Sequence, residues 1–357
     1  MKTPSLCSSW LDEFWEAIRD DCVTFLQETA RKSKRYNFLV DQVHQSFIDY
    51  VPRGRGLASS FILATCQGYK NSGWRGMVRV ATAFELLSKS VLIIDDIVDC
   101  DTSRFGTDSL DKQFEKYAVN QGWANSARFG QSTAIFAGQL LSTLAYAALV
   151  SANMSERKLK QLLSIFLEAW IALDESQLAD LAFEHVFPGK AEWYQMAKRR
   201  AASHVSTSVR IGSALADQSA SASSLLAQAG AELGYMYDIR ADLLDSFGET
   251  GKTNVRGRDL RMRKKTLFVC FALEEAPPEE REELRQLFTV AEAPSNRILN
   301  IAARWGVTQT LDQLARHKAR AAQLIYDSPL TPAGKEFFQE IVNRAGKPPT
   351  LVLKQFV

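Results

Sequence analysis

Two groups of aspartates carry the chemistry this sequence offers. In the first, the apolar run Val91-Leu92-Ile93-Ile94 leads straight into Asp95-Asp96-Ile97-Val98-Asp99, with Asp101 just after. On a helix, Asp95 and Asp99 lie one turn apart and share a face. Their repulsion costs a bare helix on the order of a few tenths of a kcal/mol, and more where the apolar lead-in buries them. A hard divalent cation reverses that sign, because carboxylate oxygens are its natural ligands. The plainer alternative is a solvated acidic helix end, but surface aspartates seldom follow so apolar a segment.

The second group is Asp238-Ile239-Arg240-Ala241-Asp242-Leu243-Leu244-Asp245. Spacings of four and three set its three aspartates on one helical stripe. Gly251-Lys252, Gly257-Arg258-Asp259 and Lys264-Lys265-Thr266 follow. An acidic stripe trailed by lysines suits Mg²⁺ and a polyphosphate held together, with metal bridging phosphate to carboxylate and lysines taking the remaining charge. Each piece alone is weak, whereas two such clusters in one helical chain reinforce each other.

The elements that must position these groups read as helices. Trp10, Phe14, Ile18, Cys22 and Phe25 make one apolar face from Trp10 to about Thr29. Similar patterns predict helices over 36–50, 57–70, 77–98, 127–150, 156–182, 190–216 and 221–247. They continue over 266–276, 279–290, 294–304, 307–327 and 332–344. No segment alternates with period two between turn residues, so no sheet is expected. Breaks at Pro52-Arg53-Gly54-Arg55-Gly56, Phe187-Pro188-Gly189, the Ser/Ala-rich 217–224 stretch and Pro277-Pro278 read as short interhelical connections. The 357 residues exceed the usual single-core ceiling of roughly 250–300, yet no break is long or polar enough for a linker. A single all-α domain spanning 1–357 follows, a bundle of ten or more helices.

Composition narrows the function. Apolar residues at 46% and charged residues at 24% exclude disorder, and a net charge of +2 predicts no nucleic-acid partner. The longest apolar stretch, Leu140–Val150, is too short to span a bilayer. Asp12, Glu13 and Glu16 do not suit a secretory signal, so no transmembrane segment and a cytoplasmic location are expected. Five scattered cysteines without a CxxC read as reduced thiols. Four histidines, none beside another candidate ligand, make a zinc site or a Ser/His/Asp triad improbable.

On these motifs the chain resembles the trans-isoprenyl diphosphate synthases, from about Pro52 to Thr266. The resemblance implies an isoprenoid synthase-type bundle around a central cavity. It also implies two DDxxD motifs on facing helices, holding three Mg²⁺ ions around an allylic prenyl diphosphate. Asp95-Asp96-Ile97-Val98-Asp99 is an intact first motif, with Asp95 and Asp99 as metal ligands and Asp96 beside them in catalysis. The second is altered: Ala241 stands where its leading carboxylate belongs, before Asp242 and Asp245. Either Asp238, one turn back, substitutes as a ligand, or it pairs with a cation such as Arg240 and one metal is lost. Asp238, Asp242 and Ser246 also match the ligand spacing of related terpene cyclases. Ser176-Gln177-Leu178-Ala179-Asp180 fits the family's GQxxD and Arg200-Ala201 its Lys-Thr pair. Arg104, Arg200, Lys252 and Lys264 are the implied diphosphate-binding cations, with Lys252 catalytic as well.

The side that binds isopentenyl diphosphate in the family departs further. Gly54-Arg55-Gly56-Leu57-Ala58, Ser88 and Arg104-Phe105-Gly106 stand there, and of the binding positions Arg55 alone keeps a positive charge, while Gly56, Ala58, Ser88 and Phe105 have lost the family's donors. Each lost charge-assisted hydrogen bond removes roughly 1.5–3 kcal/mol, unless Arg53, Arg75 or Lys89 compensates. The expectation is therefore an Mg²⁺-dependent enzyme that ionises a C15–C20 or longer allylic diphosphate and transfers the cation to an acceptor other than isopentenyl diphosphate. Cyclisation, ordinary geranylgeranyl or polyprenyl synthesis, and a non-catalytic subunit are the alternatives. Phe84, Leu87, Ser88, Ser90, Val91, Phe105 and Gln177 are the expected pocket residues. Small Ser90 and Val91, where aromatics would stop growth at fifteen carbons, leave room for a longer chain, with Phe84 as an alternative floor. The family's habit implies a homodimer.

Overall fold

A computed structural model describes residues 5–33, 36–70, 73–248, 257–290 and 295–353. Helices follow one another as α1 (Leu6–Ser33), α2 (Phe38–Tyr50), α3 (Leu57–Lys70), α4 (Val78–Val98), α5 (Leu110–Asn120), α6 (Ser126–Ser151), α7 (Glu156–Phe183) and α8 (Lys190–Ala197). Then come α9 (Ser203–Leu215), α10 (Ala220–Phe247), α11 (Arg258–Arg261), α12 (Leu267–Glu275), α13 (Pro278–Leu287), α14 (Ser295–Trp305), α15 (Val307–Asp327) and α16 (Pro332–Ala345). The all-α expectation holds. The chain packs as two compact units, one of residues 1–163 and 211–217, the other of 164–210 and 218–357.

In the first unit α4 is the central helix. Its residues Val80–Leu87 are almost all enclosed, and it runs outward to the acidic end. α6 lies against it through a stripe of small residues: a Cβ on Gly138 would stand 3.0 Å from Ile94, and one on Gly130 2.4 Å from the Asp111 carbonyl of α5. α5 is not among the helices expected from sequence, although Leu110, Phe114 and Ala118 repeat every four residues and are buried. By length and composition α6 could cross a membrane, with a mean hydropathy of 1.6 in its best window. The apolar stretch Leu140–Val150 is the second half of this helix. A packed core helix passes the same test, and 44% of this window is buried within the protein.

Two local devices shape the end of α4. Asp99 caps the helix, and Cys100 takes a left-handed φ of 54°. The Cys100 amide then donates to the Ile97 carbonyl and the Asp101 amide to that of Asp96. This is the paired bonding of a Schellman cap, here with cysteine where glycine is usual. Beyond it, Ser103–Arg104 pairs with Thr107–Asp108 as an antiparallel ladder, β1 and β2. Both turn residues, Phe105 and Gly106, have positive φ, as a tight primed turn requires. No strand was expected, and two residues per strand are too few to leave a period-two signal.

In the second unit α10 is the central helix, with Leu226, Leu233, Met236, Ile239, Leu243 and Phe247 enclosed. The predicted 190–216 helix is interrupted. Lys198–Ala202 forms a π-helical turn in which Arg200 leaves helical geometry (φ −87°, ψ −109°). Gly234 of α10 makes room for that turn, since a Cβ there would stand 2.4 Å from the Ala201 carbonyl. No proline or glycine within 198–202 announced the break, because its cause lies on another helix. Single π turns of this kind gather at functional sites.

Candidate functional site

In the first unit the cap and the hairpin bring Asp95, Asp96, Asp101 and Arg104 together. Arg104 Nε donates to Asp96 Oδ1 at 2.6 Å, and its terminal nitrogen reaches Asp101 at 3.1 Å and Asp95 at 3.5 Å. The three aspartates of the motif divide by exposure. Asp95 and Asp99 are half-buried, whereas Asp96 is 1% exposed and points into the protein. Burial pushes the Asp96 carboxyl up to about 7, against the pull of Arg104. Asp96 is therefore chiefly the partner of Arg104, and the face open to a ligand is that of Asp95 and Asp99.

Behind this cluster Lys89, Arg53 and Arg75 are already engaged with protein partners. Lys89, 3% exposed, pairs with Glu85 at 3.3 Å and donates to the Arg53 carbonyl. Its ammonium also lies 4.0 Å over the Phe105 ring, and Ser59 donates to Glu85 at 2.7 Å. Arg53 donates to the Asp49 carbonyl and to Thr107, and Arg75 meets Glu13 at 2.7 Å on the surface. Arg55 is exposed. Gly54 (φ 90°) is needed where it stands, because a Cβ would come 2.9 Å from Phe105 and 3.1 Å from Lys89 Nζ.

Of the expected pocket residues, Phe84 and Leu87 are fully enclosed and Ser90 is 3% exposed. Gly138 of α6 approaches the Ser90 carbonyl, which a Cβ there would meet at 3.2 Å. Ser88, Val91 and Gln177 are half-buried, and Phe105 is 39% exposed.

In the second unit the π turn presents Arg200 to two helices. Its Nε lies 3.4 Å from Asp238 of α10 and its terminal nitrogen 3.4 Å from Asp180 of α7, while Lys264 meets the other Asp180 oxygen at 3.0 Å. Burial alone would lower the Arg200 guanidinium. The Asp238, Asp180, Asp242 and Asp259 carboxylates overcome that and hold it above its ordinary value. Asp238 thus pairs with Arg200, not with the neighbouring Arg240 considered from sequence. The register along α10 could not show this, because the cation comes from another helix. Asp242 is 8% and Asp245 1% exposed, and Asp245 Oδ2 accepts the Asp259 amide at 3.1 Å, tying down α11. Ser246 is fully enclosed and does not extend the stripe. Lys252 lies outside the described residues.

Among the described residues no three His, Cys, Asp or Glu side chains converge on a metal position, so the three-carboxylate stripe is not a ready-made cage. The donor set still fits one class of ion. Carboxylates at Asp95 and Asp99, and again at Asp238 and Asp242, offer one or two hard oxygens each. Mg²⁺ is commonly bound in that way, completed by water and substrate phosphate.

A model of the family described as polyprenyl synthetase matches residues 40–303. The chain belongs to the polyprenyl synthetase family. Its members are prenyltransferases that release diphosphate, and so is this protein. It is 29% identical over 263 residues to the short chain isoprenyl diphosphate synthase of Methanocaldococcus jannaschii, covering 73% of this chain and 76% of that one. The geranylgeranyl diphosphate synthase of Saccharolobus solfataricus is 29% identical over 212 residues, covering 58% and 59%. Among solved structures, the geranylgeranyl pyrophosphate synthase of Corynebacterium glutamicum, complexed with isoprenyl diphosphate and magnesium, has a TM-score of 0.87 at 20% identity, covering 94% and 99%. That likeness shows the fold.

One lysine of this polyprenyl synthetase lies beyond what the motif anticipated. Lys265, next to Lys264, is 3% exposed, donates to the Glu184 carbonyl at 2.7 Å and lies 5.0 and 4.8 Å over the Phe187 and Phe288 rings. Burial lowers its ammonium from 10.5 to about 8. Between those values the unfolded chain keeps a proton that the folded one has released, so stability rises with pH across the window and is lost again as pH falls. Urea midpoints across that range should rise for the native chain and rise less for Lys265→Met. Parallel curves would place the Lys265 proton elsewhere.

Proposed function

We propose that this polyprenyl synthetase ionises an allylic prenyl diphosphate and elongates it with isopentenyl diphosphate, releasing pyrophosphate. The observation that carries the reading is the intact acidic end of α4, with Asp95 and Asp99 turned outward and Arg104 beside them. The named relatives are chain-elongating synthases, and they favour ordinary elongation over the transfer to another acceptor that the altered positions suggested. The residues that would hold Mg²⁺ are Asp95 and Asp99 in one unit and Asp238 and Asp242 in the other, with Asp238 replacing the carboxylate absent at Ala241. Bound there, the ion would stabilise negative charge on the departing diphosphate. Arg104 in the first unit is a fixed positive charge suited to a diphosphate, and Arg200 and Lys264 in the second are fixed charges of the same kind; Lys252 is assigned with them from the resemblance. Asp180 positions Arg200 and Lys264 through its two oxygens. Three ions, one working domain over 1–357, a cytoplasmic location and a homodimer belong to the same proposal. Ile135, Phe136 and Val150, exposed on α6 at 44%, 72% and 62%, support the last of these.

A second reading, transfer to an acceptor other than isopentenyl diphosphate, rests on Phe105 and on Lys89, whose charge is already taken by Glu85. One incubation separates them: pure protein, Mg²⁺, geranyl, farnesyl or geranylgeranyl diphosphate, and radiolabelled isopentenyl diphosphate. Longer labelled diphosphates are expected. Pyrophosphate release without label uptake would favour the second reading, hydrocarbons or alcohols would indicate cyclisation, and no release at all would overturn both.

A further inference from the structure

Tyr50 closes α2. It is 2% exposed, and its hydroxyl makes no hydrogen bond. Asp96 Oδ2 is in the same condition: the residue is 1% exposed and that oxygen accepts nothing. A buried polar atom without a partner is costly and calls for a cause. The two belong to one neighbourhood. The Tyr50 ring lies 5.7 Å from that of Phe105, which follows Arg104 in the chain, and Lys89 Nζ stands 6.0 Å over it. Burial raises the Tyr50 phenol above its ordinary value, and among the surrounding charges Asp96 adds most to that, with Arg104 opposing it. The phenol keeps its proton, and its ring lies beside Lys89 and Phe105, the latter next in the chain to the Arg104 that holds Asp96.

Asp96 is held in this structure through its other oxygen, by Arg104. The same guanidinium is a planar fork of donors suited to phosphate. A diphosphate arriving at Asp95 and Asp99 competes for that fork, and each donor it takes leaves Asp96 short of a partner inside the protein. Lys89 cannot replace Arg104 there, since Glu85 and the Arg53 carbonyl hold it. We propose that the Tyr50 hydroxyl is a positioning group that donates to the Asp96 carboxylate when Arg104 turns to a bound diphosphate. No covalent bond changes, and the proton stays on the phenol oxygen. Asp96 then keeps its place on α4, and with it the cap that sets Asp95 and Asp99. The inference rests on the reading that this site takes an allylic diphosphate.

Tyr50→Phe removes the hydroxyl and little else. Calorimetric titration with Mg²⁺ and inorganic pyrophosphate should show affinity reduced about tenfold, with the thermal midpoint unchanged or slightly raised. Steady-state kinetics should show KM for the allylic diphosphate rising more than kcat falls. In an Asp96→Ala background the same exchange should change pyrophosphate affinity no further. Equal affinity in Tyr50→Phe and the native chain would overturn the proposal, as would a loss that tracks a lowered thermal midpoint. A native chain that binds no pyrophosphate would instead overturn the reading of the site, and this proposal with it.

Discussion

Asparagine in place of Asp95 or Asp99 is expected to slow pyrophosphate release from an allylic diphosphate by about a thousandfold or more, in a protein that still folds. The amide keeps the volume and loses the charge. Metal-assisted stabilisation of a leaving group supplies several kcal/mol, and about 4 kcal/mol corresponds to three powers of ten in rate. The structural cost is small, because Asp95 meets Arg104 at only 3.5 Å and is partly open to solvent, where ion pairs contribute about 0–1 kcal/mol. Asp96→Asn is the contrasting variant. It weakens the buried partner of Arg104, so its loss of rate should come with a lower thermal midpoint. Rates within tenfold of the native chain for both Asp95→Asn and Asp99→Asn would remove the end of α4 from the chemistry.

The second large effect belongs to Arg200. Among the described residues its guanidinium is placed to balance Asp180, Asp238, Asp242 and Asp259 together. Arg200→Met leaves those carboxylates facing one another with Lys264 at one edge. Removing one side of a buried ion pair costs about 3–5 kcal/mol and of an exposed one about 0–1; with the Arg200 side chain 23% exposed, a loss of about 2–3 kcal/mol should appear in urea unfolding without divalent ions. Millimolar Mg²⁺ should then restore part of it, since an ion that binds the folded carboxylates stabilises by mass action. The native chain should respond less, its carboxylates being already balanced. A loss below about 1 kcal/mol, the range of exposed pairs, would show that the cluster is more open than its geometry indicates. An Mg²⁺ response equal to that of the native chain would take Asp238 and Asp242 out of the metal site.

The amino-acid order alone determined the helices and which residues carry charge beside apolar runs. Period 3.6 is a local property, and both aspartate groups could be placed at the ends of long helices before any contact was known. The same local view explains the misses. Leu110, Phe114 and Ala118 carry a short helical period over only about three turns, whereas the hairpin at Phe105-Gly106 and the π turn at Arg200 depend on backbone angles that no pattern of side-chain polarity encodes.

What only the tertiary structure decided is who faces whom. A helical stripe shows that Asp238 and Asp242 share a face, but the cation opposite, Arg200, arrives from a turn bent toward α10 where Gly234 lets the backbones meet. Asp96 and Asp95 are neighbours in the chain, yet one is enclosed and the other open, because the cap at Cys100 and the hairpin fold Arg104 back onto one side of α4. Electrostatic pairing falls off over a few ångströms and is set by distances between elements, and spacing along the sequence does not contain those distances.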